Sequence, residues 1–179
     1  MSTDTPDRVF NVLFLCTGNS ARSILAESAL NMRGGAFRAY SAGSHPRGEV
    51  NPDALALLQK LHYPTEGLRS KSWDEFSTPD APQMDFVFTV CGDAADEVCP
   101  VWPGHPITAH WGIADPSHVE GTDIVRERAF MAALRHLESW IALFTALPIH
   151  KLETATLSAK VREIGQTPVP AATNPEDAQ

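Results

Sequence analysis

Residues 12–27 read VLFLCTGNSARSILAE, and this stretch decides how the rest of the chain is organised. A short apolar run ends at Cys16, a loop of small polar residues follows, and Arg22 opens a segment of helix-forming residues. The order of strand, glycine-containing turn and helix places backbone N–H groups at a helix N-terminus, where they favour an anion. A cysteine at the centre of such a loop is a candidate nucleophile, because the same positive field stabilises its thiolate.

Two side chains add to this predicted anion loop. The guanidinium of Arg22 offers a planar, bidentate grip on a tetrahedral oxyanion. Ser23, directly after it, can donate its hydroxyl to the thiolate, so we predict a depressed pKa for Cys16. The residues predicted to bind the oxyanion are Thr17, Gly18, Asn19, Ser20, Ala21 and Arg22.

The spacing of Cys16 and Arg22 has a second interpretation. A cysteine that ends a buried strand is often an inert small hydrophobe, and a cysteine followed six positions later by an arginine occurs by chance in many proteins. The spacing alone leaves both interpretations open, and the surrounding strand, turn and helix favour the reactive site.

Length, composition and charge limit the class of protein. The chain has 179 residues, 43% of them hydrophobic, which suffices for one core and favours a single domain. Its formal net charge of −8 argues against nucleic acid or an anionic membrane surface as a partner. No apolar run reaches transmembrane length, and the N-terminal residues do not resemble a secretory signal. Three cysteines fit a reducing cytoplasm better than a disulfide framework.

Strand and helix patterns alternate along the chain, which predicts a small parallel α/β sheet. Apolar runs predict strands at 9–15, 37–41, 84–90 and 107–111. Helical spacing predicts helices at 22–33, after the capping residue Asn51, at 122–147 and within 151–165. The predicted apolar face of the first helix consists of Ile24, Leu25, Ala29 and Met32.

We divide the chain into four segments on this basis. Residues 1–8 are expected to form a flexible N-terminus, and residues 9–147 the folded α/β domain. Residues 148–166 are a C-terminal extension with room for a short helix. Residues 167–179, rich in proline, alanine and acidic side chains, are expected to be a disordered tail.

Three candidate chemical groups follow predicted strands. Cys16 and Cys91 each end a strand, and Asp115 lies shortly after another. Ligands of parallel α/β sheets bind beyond the carboxyl ends of the strands, so we expect these residues to share one site. Asp115, followed by the stiff residue Pro116, is the candidate general acid. The alternative is an ordinary Asp-Pro turn.

The remaining cysteine, Cys99, suggests redox chemistry. If Cys91 reaches Cys16, thiol–disulfide exchange can carry oxidation from Cys16 to Cys91 and then to Cys99. Two ordinary buried cysteines are the first alternative. Zinc held by these two cysteines with His105 and His110 is the second, although Cys-x7-Cys is wider than the usual zinc spacing.

Together, residues 16–23 (CTGNSARS), Cys91 with Cys99, and residues 110–116 (HWGIADP) resemble the bacterial arsenate reductases built on the low-molecular-weight tyrosine phosphatase fold. The resemblance implies a three-layer α/β fold with a four-stranded parallel sheet flanked by helices, and makes residues 9–147 the reductase domain. It also implies a nucleophile at Cys16, oxyanion binding by the loop that follows, and a general acid at Asp115.

Members of that family reduce arsenate to arsenite, and the resemblance implies the same relay here. Cys16 would form a covalent adduct with arsenic, Cys91 would displace arsenite by forming a disulfide with Cys16, and Cys99 would resolve that disulfide. Thioredoxin, or glutathione with glutaredoxin, would then reduce the chain. No tightly bound cofactor is expected, and phosphate or sulfate should mimic arsenate.

The resemblance leaves a potassium site open. Some members bind potassium beside the loop, and Asn19, Glu27 and Ser41 are similar to three of its ligands. Trp73 stands where an aspartate would be the fourth.

Two further functions use the same loop. A low-molecular-weight tyrosine phosphatase would hydrolyse phosphomonoesters through a cysteinyl-phosphate, and typically has aromatic residues after its Asp-Pro, where Ser117 and His118 stand here. We therefore expect phosphatase activity only as a weak side reaction. A non-catalytic oxyanion-binding module would require neither Asp115 nor a second thiol.

Overall fold

A computed structural model describes residues 8–91 and 102–168 of the chain. Its sheet has four parallel strands, as expected, and their order is β2-β1-β3-β4. The strands are β1 (Phe10–Cys16), β2 (Phe37–Gly43), β3 (Phe86–Thr89) and β4 (Ile107–His110).

The strand β1 pairs with β2 along one edge and with β3 along the other, and a hydrophobic core covers each of its faces. Its side chains alternate between two cores, as the twofold period of a strand requires. Val12 and Phe14 belong to the larger core, which the helices cover. Leu13 and Leu15 belong to a smaller core on the opposite face.

Four α-helices lie in the described residues: α1 (Arg22–Arg33), α2 (Pro52–Lys60), α3 (Asp123–Thr145) and α4 (Thr154–Ile164). The predicted cap of α2 is confirmed, since Asn51 Oδ1 accepts from the N–H groups of Asp53 and Ala54. One prediction about the apolar face of α1 is wrong. Met32 is 52% exposed, and Leu30 is buried in the core instead.

The segment predicted as a C-terminal extension contains α4, which packs on β4. The indole N–H of Trp111 donates to the carbonyl of Val161 (2.9 Å). A Cβ at Gly165 would lie 2.3 Å from the His110 carbonyl oxygen, so the close contact requires glycine. The α4 segment therefore packs against the end of β4 and stabilises it. None of the helices described is both long and apolar enough to cross a membrane.

Candidate active site

The carboxyl ends of the strands bring the predicted residues together. Cys16 ends β1, and the loop after β4 carries Asp115 to the same edge of the sheet. Both residues line one cavity of about 180 Å³, together with Arg22 from the start of α1. Cys91, which follows β3, is fully buried. The sequence prediction of a shared location holds for these residues.

Asn19 fixes the shape of the loop between Cys16 and α1. Its backbone has φ +43°, a left-handed conformation that asparagine tolerates better than most residues. The side chain is fully buried, its amide donating to Ser23 Oγ (2.8 Å) and accepting from the Lys71 N–H (2.9 Å). This leaves the backbone N–H of Asn19 aimed at Cys16 Sγ, 3.2 Å away.

Gly43, at the end of β2, allows this loop to approach the sheet. A Cβ at Gly43 would lie 2.4 Å from the carbonyl oxygen of Thr17 and 2.9 Å from the Asn19 nitrogen. Real side chains do not tolerate such distances, so glycine is required for the close approach of the two backbones.

Ser23 is positioned as a hydrogen-bond donor to the nucleophile. Its Oγ lies 2.9 Å from Cys16 Sγ and accepts from the Asn19 amide. The hydroxyl proton of Ser23 is not used by Asn19 and can point at the sulfur, and either atom of the pair can be the donor. Donation from Ser23 to the thiolate stays a prediction.

Cys91 lies beside Cys16 below the loop. Its Sγ lies 3.7 Å from Thr17 Oγ1, and its thiol is near enough to that of Cys16 to interact with it. The predicted depression of the Cys16 pKa is wrong in this state. The interaction with Cys91 is the main cause of a pKa well above the ordinary value, burial adds to it, and the bonds to Ser23 oppose it.

This cause predicts how the reactivity of Cys16 depends on pH. Cys16 is a thiol at neutral pH, so its alkylation by iodoacetamide should rise only above the pH range of an ordinary cysteine. In Cys91→Ala the rise should move to lower pH, and in Ser23→Ala to higher pH. Peptide mass spectrometry at Cys16 measures both shifts. An unchanged profile in Cys91→Ala would contradict the assigned cause.

The Arg22 side chain binds the loop after β4. Its guanidinium donates to the Ile113 carbonyl (3.1 Å) and to Asp115 Oδ2 (3.2 Å). The side chains of Arg22 and Asp115 are each 15% exposed. The two groups expected to act on an oxyanion are thus paired with each other across the cavity.

Asp115 is held as a carboxylate. Its Oδ1 accepts from both the backbone N–H (2.9 Å) and the hydroxyl (2.6 Å) of Ser117. Burial raises the pKa of Asp115, but the bonds from Ser117 and the charges of Arg22 and His118 outweigh burial and leave the pKa below its ordinary value. A general acid must carry a proton, so Asp115 has to gain one during the reaction.

Three further cationic or titratable side chains, not predicted as site residues, line the same cavity: His45, Arg47 and His118. Arg47 lies over the loop, with its Nε 3.1 Å from the position that a Cβ on Gly18 would occupy. His45 and Arg47 follow β2, so the rule that located Asp115 could also have located them.

Cys99 lies outside the described residues, so its place in the relay stays a prediction. His110 of the alternative zinc set has its Nδ1 2.8 Å from Thr89 Oγ1. In the part of the chain that the structure covers, no three His, Cys, Asp or Glu side chains are grouped as a metal site requires.

Known proteins are similar to this chain in sequence and in fold. The model of the family described as low molecular weight phosphotyrosine protein phosphatase matches residues 11–154. The arsenate reductase of Bacillus subtilis is 39% identical over 113 residues, which cover 63% of this chain and 78% of the relative.

Solved structures show the same similarity. An arsenate reductase from Archaeoglobus fulgidus has a TM-score of 0.55 and 25% identity, over 73% of this chain and 98% of that one. A thioredoxin-dependent arsenate reductase from Corynebacterium glutamicum has a TM-score of 0.51 and 25% identity, over 78% of this chain and 65% of that one.

Proposed function

The chain belongs to the low molecular weight phosphotyrosine protein phosphatase family, and we propose that within it the chain acts as an arsenate reductase. The observation that carries the proposal is the position of the Cys91 thiol, 3.7 Å from Thr17 Oγ1 in the anion loop and near enough to Cys16 to interact with its thiol. Hydrolysis of a cysteinyl-phosphate needs only water. Reduction of arsenate needs two electrons, which two thiols supply when they form a disulfide.

Arsenate binding would use the cavity above Cys16. The tetrahedral dianion would accept from the backbone N–H groups of residues 17–22, and its charge would compete with Asp115 for the Arg22 guanidinium. Phosphate and sulfate share this shape and charge and would bind the same loop. The positive mouth of the cavity, which includes Arg47, would favour entry of an anion into a chain of net charge −8.

The first step would join sulfur to arsenic. Cys16 gives up its thiol proton and attacks the hydrogen arsenate dianion, and an arsenic–oxygen bond breaks. Asp115, a carboxylate in the resting state, would take that proton and deliver it to the departing hydroxyl oxygen, which leaves as water. The product is a dianionic adduct in which the Cys16 sulfur is bonded to an arsenic that carries three oxygens and is still in the +5 state.

The second step would reduce the arsenic. The sulfur of Cys91 attacks Cys16 Sγ, and the electron pair of the sulfur–arsenic bond goes to arsenic, which passes from the +5 to the +3 state. Arsenite leaves as neutral arsenous acid, whose three protons are the thiol proton of Cys91 and two protons from water. The two sulfurs, which lie near each other in the structure, form the Cys16–Cys91 disulfide.

Recovery of the active form would use Cys99 and an external thiol. Cys99 attacks Cys91, its proton returns to Cys16, and a Cys91–Cys99 disulfide results. A dithiol such as thioredoxin, or glutathione with glutaredoxin, would reduce this disulfide and become oxidised itself. Such reductants imply a reducing compartment, the cytoplasm, as the place of action.

The experiment that tests the proposal measures arsenate-dependent NADPH oxidation. The thioredoxin system and the glutathione–glutaredoxin system are supplied separately, and hydrolysis of p-nitrophenyl phosphate is followed in parallel. We expect arsenate-dependent oxidation with at least one system and only weak hydrolysis. Hydrolysis without arsenate reduction would indicate a phosphatase, and neither activity would indicate a binding module.

Asp115→Asn tests the proton transfer. The amide keeps the size of the side chain and its acceptor oxygen for Ser117 but cannot carry the proton, so the chemical step should slow by about a hundredfold or more. Single-turnover measurement of arsenite formation isolates that step from reductant turnover. Glu120→Gln, on an exposed side chain of the same loop, is the matched control. An unaltered rate in Asp115→Asn would remove the acid role.

A further inference from the structure

A lysine is buried below the anion loop. The Lys71 side chain is only 7% exposed, and its Nζ lies 3.7 Å from Glu27 Oε1, itself on a side chain 13% exposed. The ammonium also donates to the Arg69 carbonyl (3.1 Å). Lysine is almost never buried to this extent without a paired charge, so Glu27 and Lys71 depend on each other.

The backbone of Lys71 reaches the loop as well. Its N–H donates to Asn19 Oδ1 (2.9 Å), and its carbonyl accepts from the Gly43 N–H (2.9 Å). Asn19 in turn holds Ser23, which contacts Cys16. Lys71 thus connects Glu27 to the residue that shapes the anion loop.

The residues present do not fit a potassium ion. Asn19 Oδ1 accepts the Lys71 N–H, and Ser41 Oγ donates to Glu27 Oε1 (2.5 Å). The ammonium already supplies the positive charge that a cation would bring to Glu27. Trp73, at the position of the fourth expected ligand, packs edge-on against Trp102 with ring centroids 6.5 Å apart.

We propose that Lys71 is a built-in monovalent cation, a positioning residue that balances Glu27 and holds Asn19, so that the loop binds its oxyanion without potassium. An unbalanced Glu27 carboxylate below the loop would repel the incoming anion through a poorly screening interior. The proposal rests on the anion loop of the proposed function but not on arsenate as its substrate.

The test measures binding of inorganic phosphate to the reduced full chain by calorimetry, in potassium chloride or choline chloride of equal ionic strength. The unaltered protein should bind phosphate equally well in both salts. Lys71→Ala should bind about tenfold or more weakly in choline, and potassium should restore binding by entering the vacated space beside Glu27. Lys71→Met fills that space without charge, so it should bind weakly in both salts.

Matched controls separate charge from packing. Lys60→Met removes a lysine that is 65% exposed and paired with Glu127, and should change nothing. The double variant Glu27→Gln/Lys71→Met removes both buried charges and should regain affinity relative to Lys71→Met. Thermal melts of each variant show whether it is folded.

Four outcomes would overturn the proposal. They are potassium-dependent binding in the unaltered protein, wild-type affinity in Lys71→Met, no recovery of Lys71→Ala in potassium, and no gain in the double variant. All are read from phosphate binding. If the expected pattern holds while arsenate is not reduced, only the proposed function fails.

Discussion

Cys16→Ser is expected to reduce arsenate turnover to background with either reducing system. A serine hydroxyl at this position is far less acidic than a thiol and can form neither the sulfur–arsenic bond nor a disulfide. The side chain is 4% exposed and the replacement differs by one atom, so the fold should persist. Arsenate-dependent NADPH oxidation and p-nitrophenyl phosphate hydrolysis both measure the loss.

Phosphate binding is the control for this variant. The backbone N–H groups of residues 17–22 and the Arg22 guanidinium remain, so Cys16→Ser should still bind phosphate in calorimetry. Retention of full arsenate turnover by the folded variant would remove the mechanism.

Cys91→Ser is expected to abolish multiple turnover while sparing phosphatase chemistry. Cys16 can still attack arsenate, but no second thiol lies near it to accept oxidation. At most one stoichiometric event per chain should follow. Rapid-quench counting of arsenite per chain, with reductant in excess, measures this limit. Hydrolysis of p-nitrophenyl phosphate should continue, because it does not require a second thiol.

Comparing arsenate turnover with p-nitrophenyl phosphate hydrolysis distinguishes loss of the relay in Cys91→Ser from a general loss of structure. Cys91 is fully buried, so a serine there could also weaken packing. Such a loss would lower hydrolysis and arsenate turnover together, and a thermal melt would reveal it. Unchanged multiple turnover in Cys91→Ser would exclude the relay.

The sequence predicts the parts of the fold that depend on local chemistry. Asn51 followed by proline marks the start of α2 correctly, because a side-chain acceptor and a missing N–H both suit a helix N-terminus. Helical spacing places Met32 on the predicted apolar face of α1, because the spacing gives the side of the helix on which a side chain lies. It does not show that the last turn of α1 extends past its neighbours into solvent.

In the site, too, the sequence does not predict contacts between residues that are distant along the chain. The predicted decrease in the pKa of Cys16 rests on the electrostatic field of the loop and of the helix, which both consist of residues adjacent in the sequence. The thiol that raises the pKa of Cys16 comes from Cys91, which follows β3, and Arg22 pairs with Asp115 in the loop after β4. The role of Lys71 could not be predicted from the sequence, because it depends on the contact with Glu27, which only folding brings near.

The contact between α4 and Trp111 has a practical consequence. Trp111 stacks on Phe88 with ring centroids 4.1 Å apart, and its indole N–H is tied to Val161, beyond the residues that match the family. A shortened version of this protein that ends at residue 154, where the family match ends, would lose this hydrogen bond. Trp111, at the start of the loop that carries Asp115, would then be held less firmly. Anyone trimming the chain for crystallisation should keep it through Thr167, whose carbonyl secures Trp140 in the same way.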